Sequence, residues 1–148
     1  MFFRIDPDDE LPIYEQLVRQ VKLAIADGVL VGGQLVPSVR QLAAKLAINP
    51  NTIARAYTQL QTDRVLQPLR GRGLVVRRDA LARCTKARNR MVLDRIRRVV
   101  TEALRGGLSQ AEIQDAFQAE LARQVDQADR SPSPSSAAPS AGQQNGES

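Results

Sequence analysis

Two helical patterns stand only three residues apart in the middle of this chain, and that spacing constrains the fold more than any other feature. The first opens at Pro37-Ser38-Val39-Arg40-Gln41-Leu42-Ala43. Ser38 and Gln41 have capping-box spacing, which gives two orphan backbone donors a partner each. Val39, Leu42, Ala43 and Leu46 recur at i, i+3, i+4 and i+7 and predict a buried face, leaving Arg40, Gln41 and Lys45 outside. The turn is Ala47-Ile48-Asn49. Asn49 is placed to cap a second helix, with Pro50 at its first position. Ile53, Ala56, Tyr57 and Leu60 then face inward. The opposite face carries Asn51, Thr52, Arg55 and Gln59, side chains that hydrogen-bond base edges or phosphates. No acid follows Asn51 until Asp63, an omission that suits a negatively charged partner.

What surrounds this pair extends the same reading. Upstream, Ile13, Leu17, Val21 and Ile25 recur every four residues and predict a helix from Pro12 to about Asp27-Gly28, followed by a glycine-rich loop. Downstream, Val65-Leu66-Gln67 and Leu74-Val75-Val76 are short strand patterns. Between them Pro68-Leu69-Arg70-Gly71-Arg72-Gly73 makes a basic, glycine-containing tip, in which Arg70 and Arg72 suit phosphate or a narrow minor groove, and Gly71 and Gly73 permit close backbone approach. From Asp79 a long arginine-rich segment has Met91, Ile96, Val99 and Leu104 near helical spacing, and Gly106-Gly107 ends it. Ser109 and Glu112 repeat the capping-box spacing before a last stripe of Ile113, Phe117 and Leu121. Two amphipathic helices are too few to close a core, so their apolar faces should meet a second copy of the chain. Beyond about Val125 the composition turns to Ser, Pro, Ala, Gly and Gln and predicts a disordered tail.

Composition narrows the chemistry. There is no histidine and one cysteine, Cys84, in 148 residues. That excludes a Ser-His-Asp triad, a Cys-His pair, a histidine-based metal site and an intrachain disulfide. With no glycine-rich phosphate loop after a strand and no metal-spaced acidic cluster, no catalytic residue, metal or cofactor is expected. Residues 1–39 carry three Lys/Arg and six Asp/Glu, net −3; residues 40–105 carry sixteen and four, net +12; residues 106–148 carry two and six, net −4. A basic centre between acidic ends points to a polyanion partner. No hydrophobic run approaches the ~20 residues that span a membrane. The start has no signal-peptide pattern and a single cysteine fits a reducing cytosol, so a cytoplasmic location is expected.

Taken together these residues resemble the winged helix-turn-helix domain of the GntR family of bacterial transcription regulators, and its YtrA subfamily in particular. The resemblance rests on Ile5-Asp6-Pro7, Leu11-Pro12-Ile13-Tyr14-Glu15-Gln16-Leu17, the Pro37–Ala43 run, Asn49-Pro50-Asn51-Thr52, Arg55-Ala56-Tyr57 and Arg70-Gly71-Arg72-Gly73, and covers about residues 2–77. It implies that Arg40 contacts phosphate or base, that Asn51, Thr52 and Arg55 enter the site from the recognition helix, and that Gly71 borders the minor groove. Three features depart from the family pattern. Gly32-Gly33 and Leu35-Val36 replace its usual residues before the Pro-Ser run, which predicts a looser loop. Ala47 and Arg64 stand where glycine is common, and a left-handed Arg64 would be strained by about 1 kcal/mol.

The expected architecture is therefore mainly α with a small β-hairpin: a winged helix-turn-helix DNA-binding domain over residues 1–78, a helical hairpin for dimerisation over 79–124, and a tail over 125–148. The expected function is a sequence-specific DNA-binding regulator, a repressor, that binds double-stranded DNA at an inverted repeat as a homodimer. The alternative is a module that uses the basic winged helix to bind nucleic acid or protein without operator specificity. The absence of aromatics on the reading face argues against single-stranded RNA. Whether a small-molecule effector acts is left open by the residues.

Overall fold

The structure, a computed structural model, describes residues 3–130. Seven elements follow in order: α1 (Ile13–Ala26), α2 (Val39–Leu46), α3 (Pro50–Thr62), β1 (Leu66–Leu69), β2 (Gly73–Val76), α4 (Ala80–Arg105) and α5 (Gln110–Arg130). The fold is thus the mainly α arrangement with one hairpin that the patterns predict. It divides into two units between Arg97 and Arg98, within α4, so the first unit runs well past the boundary expected at residue 78.

The first unit is built around one aliphatic core. Leu17, Val21 and Ile25 of α1 meet Leu42 of α2 and Ile53, Tyr57 and Leu60 of α3, all buried. Val65, Leu66 and Val76 bring the hairpin onto the same core, and Ala80 and Cys84 bring the start of α4. That last contact is why the unit extends beyond the wing. Val39 and Leu46, expected on the buried face of α2, are only half-buried because an eight-residue helix places its end residues at the core's rim.

All four helices that end within the described chain use one device. At the ends of α1, α2, α3 and α4 the residues Gly28, Ala47, Arg64 and Gly107 have φ of 76°, 53°, 56° and 91°. The next residue's N–H reaches back five positions: Val29 to Ala24, Ile48 to Ala43, Val65 to Leu60 and Leu108 to Ala103, at 2.8–3.1 Å. This is the Schellman closure, which satisfies orphan carbonyls. The two helices of the central pair end it with alanine and arginine.

The segment before α2 is tighter than expected. Gly33 N donates to Val76 O at 2.7 Å, Val76 N to Gln34 O at 2.9 Å and Val36 N to Leu74 O at 3.0 Å, with Leu35 bridging Val75. What was expected as a loose loop lines the second edge of β2. β1 and β2 are antiparallel, with Leu66 opposite Val76 and Leu69 opposite Gly73. Each is longer at the tip than the apolar patterns suggest. Pro68 is accommodated because β1 lies at the sheet's edge, where a missing N–H costs nothing.

In the second unit α5 is opened by the expected capping box, Ser109 N donating to Glu112 Oε2 at 2.7 Å and Glu112 N to Ser109 Oγ at 3.2 Å. That hydrogen bonding holds the Glu112 carboxyl below the usual range. α5 buries no side chain and runs through Arg130, past the helix end expected at residue 124, because Gln127, Ala128 and Asp129 continue a helix-compatible composition. The rest of the expected tail, residues 131–148, lies outside the described residues.

Candidate nucleic-acid interface

The helix-turn-helix is positioned by caps at both ends of its turn. Ser38 Oγ accepts from Gln41 N at 3.1 Å and Gln41 Oε1 accepts from Ser38 N at 3.0 Å, which fixes the start of α2 and turns Arg40 outward. Asn49 Oδ1 accepts from Asn51 N at 2.8 Å and opens α3. Asn49 is exposed, and its Nδ2 group is left over from the cap. Tyr57 holds the pair in register from beneath: its hydroxyl donates to Pro37 O at 2.7 Å, and burial pushes its pKa up to about 12.

On the outer face of α3, Asn51, Arg55 and Gln59 are exposed and Thr52 is half-exposed, as the pattern predicts. Their surroundings add what sequence did not show. The Arg55 guanidinium lies over the Tyr14 ring of α1, its carbon 3.8 Å from the centroid. Tyr14 Oη donates to Glu15 Oε1 at 2.9 Å, and that carboxylate is the main reason the phenol's pKa is raised. Pro12, Ile13 and Tyr14 line one side of a cleft of about 410 Å³, and Asn51, Thr52 and Arg55 line the other. Gln59 Nε2 donates to Asp63 Oδ1 at 2.9 Å. Asp63, the only acid of this stretch, also pairs with Lys22 of α1 at 2.6 Å, so its charge is compensated.

The wing presents its arginines at the far end of the hairpin. Arg72 N donates to Leu69 O at 2.9 Å and closes a four-residue turn whose third residue, Gly71, has φ 76°. A type II turn requires that conformation there, so glycine at 71 is dictated by backbone geometry. Arg70, Gly71, Arg72 and Gly73 are all exposed. Among the described residues Arg40, Arg70 and Arg72 have no ion pair, whereas several arginines nearer α4 do. Asp79 accepts from Arg77 Nε at 2.9 Å and pairs with Arg83 at 2.8 Å, which holds its carboxyl far below the usual range. The basic excess of the central segment is therefore uncompensated at the helix-turn-helix and the wing tip, while behind them Arg77, Arg83 and Arg88 are paired with carboxylates.

Residues expected to pair two copies behave differently from one another. Ile96, Val99, Leu104, Phe117 and Leu121 are exposed, 37–64% of each surface facing solvent, and Ile113 is half-buried. Met91 belongs to the first unit, half-buried in a cleft beside Tyr14, Val18, Lys22 and Gln59. Sequence periodicity assigns no site role to Tyr14 or Gln16. Gln16 is a buried polar clamp: Nε2 donates to Asp6 O at 2.7 Å and Leu11 O at 2.9 Å, while Oε1 accepts from Asp6 N at 2.9 Å. The signal for both was their place in the Leu11–Leu17 motif, which helical periodicity does not interpret.

A helix-turn-helix with a basic wing and an unneutralised outer face defines a winged-helix DNA-binding regulator. Residues 13–76 match the family described as bacterial regulatory proteins, gntR family. The chain is 32% identical over 105 residues to the HTH-type transcriptional repressor YtrA of Bacillus subtilis (strain 168), covering 71% of this chain and 81% of that protein. It is 33% identical over 72 residues to the HTH-type transcriptional repressor NagR of the same organism, 49% of this chain and 30% of that one. A transcriptional regulator from Oenococcus oeni matches 81% of this chain and 99% of its own, with TM-score 0.67 and 28% identity. A GntR family transcriptional regulator from Listeria monocytogenes matches 75% and 96%, with TM-score 0.62 and 30% identity. The chain belongs to the GntR family, whose members are transcriptional regulators and not enzymes. Among the described residues no helix is long and apolar enough to cross a membrane.

Proposed function

We propose that the protein is a repressor that binds double-stranded DNA as a homodimer at an inverted-repeat operator. The observation that carries this reading is the row of outward-facing side chains along the start of α3, exposed Asn51 and Arg55 with half-exposed Thr52, continued by Arg40 and by Arg70 and Arg72 at the wing, with no acid among them left uncompensated. In this reading α3 enters a major groove, and the wing lies along the adjacent minor groove with Gly71 and Gly73 against the backbone. Asn49 and Gln59 flank the contact, their amides shared with Asn51 and Asp63. The exposed apolar residues of α4 and α5 cover their counterparts in the second copy. Two-fold symmetry then sets the half-sites about one helical turn apart, roughly 34–36 Å. Such a protein acts on chromosomal DNA in the cytoplasm.

The test is a selection of genomic fragments by the full chain, followed by affinity measurements against the enriched duplex and a random one. An inverted repeat among the fragments supports the reading. Uniform retention of all fragments would instead favour a basic module without operator specificity. Arg55→Ala is expected to cost about 1–3 kcal/mol on the operator and less on random duplex. Equal losses would reduce Arg55 to a phosphate contact. Arg72→Ala is expected to weaken both duplexes and lower the salt slope by about one.

A further inference from the structure

We infer that Tyr14 is a positioning residue for DNA recognition, an aromatic seat that presents the Arg55 guanidinium to the duplex without a carboxylate to neutralise it. The inference rests on the reading of Arg55 as a DNA contact. It starts from a problem that any exposed arginine poses. A guanidinium on a flexible stem loses rotamer freedom when it binds. A carboxylate would hold it still, but would occupy the N–H donors that DNA needs and cancel the charge. An aromatic face attracts the cation through the ring's quadrupole and leaves its charge uncancelled.

The geometry fits that role. The guanidinium carbon is 3.8 Å from the Tyr14 centroid, and among the described residues Arg55 has no ion pair. The nearest acid in sequence to the ring, Glu15, is held by the Tyr14 hydroxyl at 2.9 Å. One side chain therefore seats the cation and tethers the neighbouring carboxylate. The seat is on α1 and the arginine on α3, two helices packed together on one core, so the spacing of their backbones is set by that core. It also lines the cleft shared with Asn51 and Thr52, which places all three on one approach path.

The experiment is a double-mutant cycle on the full chain, read against a duplex enriched from genomic fragments and a random duplex of the same length. Tyr14→Leu keeps apolar packing and removes the π face. It is expected to weaken operator binding about three- to fivefold, the scale of a cation–π contact at an exposed site. Tyr14→Phe keeps the face and is expected to stay within about twofold of the parent. In an Arg55→Ala background Tyr14→Leu should have no further effect, since its role acts through Arg55. If Tyr14→Leu is instead equally harmful in both backgrounds, or harmless in both, the seat is refuted while the DNA-contact reading of Arg55 stands. If Arg55→Ala leaves operator affinity unchanged, that reading falls and the seat falls with it. Loss of affinity in Tyr14→Phe equal to that in Tyr14→Leu assigns the effect to the hydroxyl and likewise overturns the inference.

Discussion

Ala47 and Arg64 sit at the two helix ends that frame the recognition helix, and both hold left-handed backbone at φ 53° and 56°. Each Cβ makes that conformation cost about 1 kcal/mol relative to glycine, with part of the difference returned through the unfolded chain. Arg64→Gly is expected to raise unfolding free energy by up to about 1 kcal/mol in chemical denaturation, and a decrease would show that the side chain has a stabilising contact. Tyr57 makes a second prediction. Its pKa is pushed up to about 12 by burial, from an ordinary 10, so the folded state favours the neutral phenol. Below pH 10 that contribution is fully present. As pH rises from 10 to about 12 the unfolded phenol ionises first and stability falls. Tyr57→Phe should flatten this alkaline slope, at a cost near neutrality of about 1 kcal/mol for the lost bond to Pro37 O. Unfolding curves for both proteins across that range check it. At this scale the caps at Ser38 and Asn49 were legible because capping is local. The Arg55–Tyr14 contact was not, because it joins distant parts of the chain.

At the scale of elements, the segment before α2 decides how the wing is held. Its hydrogen bonds to Leu74 and Val76 make it an edge of the sheet, and Gly32 passes so close to the chain after β2 that an added Cβ would lie 2.8 Å from Arg78 Cα. Backbone on one side and a paired edge on the other leave little room to yield. Gly32→Ala is therefore expected to cost about 1–3 kcal/mol and to lower the thermal midpoint. An unchanged midpoint would mean that the segment moves aside freely. This pairing could not be read from the sequence, since a single bridge has no alternation and its register comes from the partner strand. The glycines there suggested looseness, but one of them is there for proximity. The Gln16 clamp on the arm at Asp6 and Leu11 is hidden for the same reason: a glutamine on a helix normally signals solvent.

At the scale of the whole molecule, the second unit presents an uncovered apolar stripe. α5 leaves Phe117, Leu121 and Val125 exposed at 37%, 64% and 58%, at intervals of one helical turn. A stripe of that kind on a chain with no further described core argues for association. Leu121→Glu is expected to shift the full chain toward monomer in sedimentation at micromolar concentration, and to reduce operator affinity because two half-sites are no longer held together. The first unit's thermal transition should not move, since Leu121 contributes nothing to that core. An unchanged mass would remove α5 from the dimer contact.

The sequence by itself determined what depends on near neighbours: which segments are helical, where they start, which face turns inward and where positive charge accumulates. Capping, periodicity and charge counting act within a few residues, so they survive without coordinates. Tertiary structure alone decided which of those charges stay uncompensated. Asp63 is neutralised by Lys22 and Asp79 by two arginines, while Arg40, Arg70 and Arg72 face outward unpaired. It also decided that a tyrosine of α1 lies beneath an arginine of α3. Those outcomes rest on distances between helices packed side by side, which the shared core fixes and the order of residues does not state.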